Sequence, residues 1–388
     1  MRVLTRLLIR ISLGAAALGI GTAAVAAVPA AASASPDRSP VIGHVYVNDN
    51  TAGTNTIGAF DRHADGTLTP EAGSPFPTGG AGTGGGLASQ GALQITPDRR
   101  FLIAVDAGSN QISVLRIAPD GSVQTRSVVS SGGALPVSIA IHGQLVYVAN
   151  AGTSDSNYTG FRLGYDGHLR SLADSTVALP SGSQPGDVLF NGTGTKLVGT
   201  RVGTSEIDSF TVRYDGRLSA SPGSPFPAQG LGPFGSEFRP SNPNQLFVSN
   251  AHNGGSGTGT VSAFDDSIDG TLTPIGGSPF ADLQTAPCWV EISHDGRFLF
   301  TVNTGSGEIS RYSIAPGGGL TLLGSTPVGS TGGVGAVDAR LSPDGRTLYI
   351  DESRIGAVGA FAVNGGNLTE LPSTPLPAGA TPAGVVVN

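Results

Sequence analysis

The 388 residues contain a single cysteine, a single tryptophan, a single methionine and a single lysine. With Cys288 alone, no intrachain disulfide can form, so stability must come from burial and from the way the chain closes on itself. Charge is also scarce. Asp, Glu, Lys and Arg make up 13% of the chain with a net charge of −7, a balance that disfavours nucleic acid and anionic membrane surfaces as partners. No second long apolar run follows the first 28 residues, so no membrane span is expected in the mature chain. Helical periodicity is likewise missing beyond that run.

The first run reads as a secretory leader. Arg2, Arg6 and Arg10 form a basic start, an apolar Ala-rich stretch follows to Val28, and Ala32-Ser33-Ala34 supplies a small-x-small cleavage site. The expected organisation is a signal peptide over 1–34, a short linker over 35–40 and one domain over 41–388, giving a secreted protein.

Glycine, in contrast, is abundant, and it is periodic. Asp65-Gly66, Asp120-Gly121, Asp166-Gly167, Asp215-Gly216 and Asp269-Gly270 each stand between alternating apolar stretches, and Gly318-Gly319 and Asn364-Gly365 continue the series. Asp-Gly and Asn-Gly between such stretches signal hairpins, with a type I′ turn as the expected geometry. Upstream of each turn an apolar strand ends in a polar anchor: Asp49, Asp106, Asn150, Arg201, Asn250, Asn303 and Glu352. A four-strand unit recurring about every 50 residues is the mark of a β-propeller, so the pattern predicts an all-β fold of seven blades. The Val45 copy has no strand before it. The tail Thr381–Asn388 supplies one strand and nothing after it, so the two ends are expected to complete one blade and close the ring. A closed ring needs no second subunit, and a monomer is expected.

The runs Ser342-Pro343-Asp344-Gly345-Arg346-Thr347-Leu348-Tyr349 and His294-Asp295-Gly296-Arg297-Phe298-Leu299-Phe300-Thr301-Val302-Asn303 resemble the lactonase family of seven-bladed propellers, which includes 6-phosphogluconolactonases and carboxymuconate cyclases. The Asp-Gly-x-Leu-Thr turns at Asp65 and Asp269 fit it as well. The resemblance implies lactone chemistry in the central channel, with a Pro-x-His segment on inner strands. This chain departs there: Ser138, Asp187, Gly235, Trp289 and Gly384 occupy the histidine position.

Alternate residues of a strand share a face, so positions two and four after the start of each inner strand should line the channel. That face gathers Gln94, Ser138, Asp187, Glu237, Trp289, Glu291, Asp338 and Arg340. Three readings of the set stand together: solvation of a water-filled channel, acid–base catalysis by Asp187, Glu237, Glu291 and Asp338 with Arg340 holding a substrate carboxylate, or a calcium site of hard oxygen ligands. Trp289 would stack on a ligand or pack in the core. Most anchors read as structural, capping the backbone amides of the next turn, whereas Arg201 and Glu352 break the repeat and are substrate-binding candidates. Cys288 reads as a buried, inert thiol. The glycine run Gly79–Gly86 reads as a blade connection, since it lacks the Lys of a phosphate loop. The function expected from all this is hydrolysis or cyclisation of a small lactone-type organic acid. The alternative is a non-enzymatic propeller that binds an extracellular protein, glycan or cell-envelope partner.

Overall fold

The structure is a computed structural model and describes residues 39–329 and 335–388; the leader falls outside them. Among the described residues, thirty-two strands form seven antiparallel sheets, each a blade. The inner strands are, in order around the ring, Val385–Val387, Leu93–Ile95, Pro136–His142, Pro185–Phe190, Pro233–Arg239, Pro287–Ile292 and Ala336–Leu341. The first of them comes from the C-terminus, as the sequence predicts. It pairs Val45 with Val387 and Val47 with Val385, so the first blade is assembled from both ends of the chain. His44 and Asn388 lock the seam, each donating a backbone N–H at 2.9 Å, one to the Asn388 side-chain Oδ1 and the other to the His44 carbonyl.

The hairpin turns differ from expectation in detail. At Asp65-Gly66 only the glycine has positive φ; Gly66 donates to the His63 carbonyl and His63 to the Thr67 carbonyl, each at 2.9 Å. This is a three-residue connection with glycine at the bulge position, and the same pair of bonds recurs around Gly121, Gly167, Gly216, Gly270 and Gly318. Asp65 stays at negative φ because its carboxylate is busy accepting from the Thr67 N–H and hydroxyl. Only the last hairpin, with both Gly365 and Gly366 at positive φ between paired Asn364 and Asn367, has the two-residue form that suits a type I′ turn.

These turns also tie the blades together. Tyr46, Tyr147 and Tyr349 donate their hydroxyls to the carbonyls of Gly121, Gly216 and Gly66, each on the next blade. Ser127, Ser209 and Arg311 reach Gly167, Gly270 and Gly366 in the same way, and Arg239 reaches the Ala315 carbonyl. The apolar core lies between blades, with one cluster at each junction. Tyr349, Val358, Val45, Phe60 and Val385, for example, fill the junction between the last blade and the first. The recurrent Gly-Ser-Pro-Phe segments begin a short outer strand, and their serines Ser74, Ser224 and Ser278 accept backbone N–H bonds from the third strand of their own blade.

Closure depends on the tail, so removal of residues 381–388 is expected to abolish cooperative thermal unfolding as followed by calorimetry. An unchanged transition in the truncated protein would contradict the role given to this seam.

Candidate functional site

The inner-strand carboxylates do converge on the hub, but each is engaged by a neighbouring blade. Asp187 accepts from the Ser236 N–H at 3.0 Å and the Ser236 hydroxyl at 2.6 Å, and from Ser138 at 3.1 Å. Glu237 accepts from the Ile292 N–H at 2.6 Å, Glu291 from the Leu341 N–H at 2.7 Å, and Asp338 from the Val385 N–H at 3.3 Å. Ser138 does the same with Val188 at 3.1 Å. Five successive junctions thus carry one side chain that satisfies a backbone donor of the next inner strand, a donor that would otherwise be stranded in the hub. Arg340 donates to Glu291 at 3.3 Å and keeps part of its side chain exposed.

The segment before Leu93 supplies a feature that the sequence did not announce. Instead of skirting the rim, Ser89 and Gln90 run across the channel. Gln90 donates to the Gly186 and Ser236 carbonyls and accepts from the Val290 N–H, Ser89 donates to the Val137 carbonyl, and Trp289 donates its indole N–H to the Ser89 carbonyl. Four blades meet on this two-residue plug, and the structure holds two cavities lined by residues of the inner strands. One, of about 480 Å³, is lined by Leu87, Ser89, Phe234, His252, Trp289 and Asp338 among others. The second, of about 320 Å³, is lined by Gln94, Arg99, His294 and Arg340 among others. Both fall within the range of small-molecule sites. The single converging set expected from the sequence is therefore divided: Trp289 and Asp338 face one cavity, Arg340 the other, and Asp187 is sealed between blades.

The larger cavity holds the better chemistry. Trp289 packs edge-on to Phe234 at 5.5 Å and is fixed by its bond to Ser89, leaving an apolar wall. Asp338 has φ of +23°, an unusual backbone for a non-glycine residue, and its Oδ1 accepts from the adjacent Ala339 N–H at 2.8 Å. Burial pushes its carboxyl up to about 6, against the pull of Arg340. Asp351, also fully buried, lies behind it; burial and the Asp338 charge hold it well above the usual carboxylate range. Cys288 lines the same cavity, but burial pushes its thiol up to about 11, which makes it a poor nucleophile. In the hub, burial and then Glu291 raise Glu237, and burial raises Glu291 despite Arg340.

The family model for Lactonase, 7-bladed beta-propeller, matches residues 44–190, 161–330 and 238–383. The chain belongs to this family. A 6-phosphogluconolactonase of Cronobacter sakazakii is 32% identical over 107 residues, a stretch covering 28% of this chain and 30% of that protein. The periplasmic gluconolactonase of Pseudomonas aeruginosa has the same fold, with a TM-score of 0.71 at 18% identity over 89% of this chain and 98% of that one. A protein from Lactobacillus plantarum superposes with a TM-score of 0.71 at 18% identity, covering 89% and 99% of the two chains.

As a lactonase-family propeller, the chain uses its anchor residues within blades. Most pair with the residue seven positions on, across the strand: Asp49 with Thr56, Asp106 with Ser113, Asn150 with Asn157, Arg201 with Asp208 and Asn303 with Ser310. These are side-chain pairs, not the amide caps expected from the sequence. Of the two exceptional anchors, Arg201 follows the same rule and Glu352 does not. Arg201 binds Asp208 through two bonds of 2.7 and 2.5 Å and also reaches Glu206. Glu352 stands opposite Gly359, where a side chain would collide with its carboxyl, and is fully buried. Neither lines either channel cavity. Of the two residues expected to contact substrate, Arg201 is thus held in an ion pair, while both carboxylate oxygens of Glu352 are buried without a hydrogen-bond partner. Among the described residues, no group of three His, Cys, Asp or Glu ligand atoms lies close together at the hub.

Two outcomes follow from these placements. Arg201→Met leaves Asp208 buried beside only the Tyr158 hydroxyl, and chemical denaturation is expected to show a loss of about 3 kcal/mol with substrate affinity unchanged. The reverse pattern would restore Arg201 as a ligand contact. Asp49 and Asp187 are pushed up to about 7 by burial, and Asp266 to about 6. Between the ordinary carboxylate value and these values the native state holds more protons than the unfolded chain, so stability falls as pH rises through this window. The exposed turn residues Asp65, Asp120 and Asp269 are held low by local hydrogen bonds and lose their contribution as pH falls below about 4. The melting temperature is therefore expected to peak near pH 5 and to be lower at pH 8; a maximum at or above pH 8 would contradict the burial assigned to these acids.

Proposed function

We propose that this protein hydrolyses a small, unphosphorylated lactone, of the sugar-acid type, in the cavity over Trp289 and Asp338. The observation that carries this reading is the union, in one cavity of about 480 Å³, of an aromatic wall and a strained carboxyl pushed up to about 6. Lactone opening requires a base for the attacking water, a donor for the carbonyl oxygen as it gains charge, and a proton for the departing ring oxygen. Asp338, ionised at neutral pH, takes the proton from water as its oxygen bonds to the carbonyl carbon. The acyl–oxygen bond of the ring then breaks, and Asp338 returns the proton to the alkoxide. The sum is lactone plus water giving the hydroxy acid. His252, at the exposed lip, is placed to donate to the carbonyl oxygen, and Trp289 covers the apolar side of the ring.

Among the described residues the same cavity has no Lys or Arg in its lining, and Lys196, the only lysine of the sequence, is buried against Asp266 of the neighbouring blade. This favours a neutral lactone over a phosphorylated one. The leader sequence and the likeness to a periplasmic gluconolactonase fold support export to where such a substrate would be met. A second reading, docking to an extracellular partner, is supported by Tyr165, Tyr214 and Ile268. These occupy equivalent turn positions on three consecutive blades, and each is at least 78% exposed.

Glucono-lactone hydrolysis followed by pH-stat tests the proposal. The wild type is expected to show kcat/KM rising with pH through an apparent pKa near 6. Asp338→Asn, which keeps an acceptor for the Val385 N–H, is expected to lose roughly 100-fold or more in kcat while folding normally. Absence of turnover across a panel of neutral lactones, or full activity in Asp338→Asn, would overturn this reading in favour of docking.

A further inference from the structure

The strongest unassigned chemistry lies away from the channel. On the first blade, three adjacent strands bring His44, Asp61 and Glu71 to one face. His44 and Asp61 are direct cross-strand partners, and Glu71 follows the third strand, Leu68–Pro70. His44 Nδ1 lies 3.3 Å from the Asp61 Oδ1 and 3.9 Å from the Glu71 Oε2, and one ligand atom from each residue lies within 4.8 Å of the others. A tetrahedral ion with bonds of about 2.0–2.1 Å places its ligands roughly 3.3 Å apart, close to what is seen.

Two further observations point to a ligand. His44 Nδ1 is shielded from solvent, and its nearest polar neighbours are the two carboxylates, Asp61 at 3.3 Å and Glu71 at 3.9 Å. The Glu71 side chain is only 9% exposed, yet it faces the Asp61 carboxylate with no cation between them. Asp120, on the turn of the next blade, adds a third negative charge to the surroundings, and Arg62 is a nearby cation acting on His44. Arg62 itself is turned toward Asp344 and the Ile42 carbonyl.

The fold does not demand this trio. The equivalent positions hold Leu145, Arg162 and Leu172 on the third blade, and Gln245, Asp265 and Ile275 on the fifth. Gly121 is part of the arrangement, because a side chain there would collide with the His44 ring. Asp61 keeps 28% of its side chain exposed, so an ion has a way in.

We propose that His44, Asp61 and Glu71 bind a divalent transition-metal ion of the zinc class, with water completing the shell. The mixed nitrogen and carboxylate donors, and their short separations, fit such an ion better than calcium, which takes six to eight oxygens at longer distance. The site sits on the blade that the N- and C-terminal strands share: His44 donates its N–H to the Asn388 side chain and accepts the Asn388 N–H at its carbonyl. Metal binding would therefore brace the seam rather than serve the channel, and it stands independently of the lactonase reading.

Chelator-treated protein, titrated with zinc chloride by calorimetry and with cobalt chloride by visible absorption, tests this. One equivalent is expected to bind, with the absorption of a four- or five-coordinate cobalt centre and a higher melting temperature. Glu71→Gln and Asp61→Asn, each checked for a native circular dichroism spectrum, are expected to weaken binding by at least 10-fold and to remove the thermal shift. Two conservative variants keep the test decisive if one misfolds. No binding to the wild type, or binding unaltered in a folded variant, would overturn the proposal.

Discussion

Each blade must hand its unsatisfied hydrogen bonds to the next, and the ring exists because every junction finds a way to do so. Packing alone would leave the inner strands with stranded amides in a narrow channel, where each unmet donor costs on the order of 1–3 kcal/mol. Ser138, Asp187, Glu237, Glu291 and Asp338 meet that need at the hub. At the periphery, Tyr46, Tyr147 and Tyr349 clamp the turns of their neighbours. The chain has no disulfide to hold its ends, and the seam at His44 and Asn388 is the last of the same series of ties.

This constraint explains why acidic residues accumulate at the hub without a matching set of cations. A carboxylate can accept a backbone N–H from a neighbouring strand and remain partly protonated, so burial raises it instead of expelling it. Asp338 differs from the others in lining a cavity as well as meeting a strand, and it combines that position with an unusual backbone. Whether a hub acid only ties two strands or also borders a cavity is thus a matter of what stands on the other side of its side chain.

The fold was legible in the sequence because its signals are local and repeated. Asp-Gly turns, apolar alternation and the missing first inner strand are read without knowing any distant contact. The site was legible only in part. Face assignment along the inner strands named Asp187, Glu237, Glu291, Trp289, Asp338 and Arg340, and all belong to the hub. What they touch depends on irregularities that period-two reading cannot see: the register shifts between Pro185 and Asp187, between Pro287 and Trp289, and between Val337 and Ala339. The Ser89–Gln90 plug has no pattern in the sequence at all, since a serine and a glutamine after a glycine-rich run look like any loop. His44, Asp61 and Glu71 were invisible for the opposite reason: their proximity is across strands, not along the chain.

Native-state hydrogen exchange tests the latching account most directly, because it reads the very amides concerned. The N–H groups of Ser236, Ile292, Leu341 and Val385 should exchange only through global unfolding, at the same free energy as the central strand amides of Tyr147 and Phe300. Exchange of these four amides through local opening, several kcal/mol below the global value, would show that the hub acids do not hold the blades together.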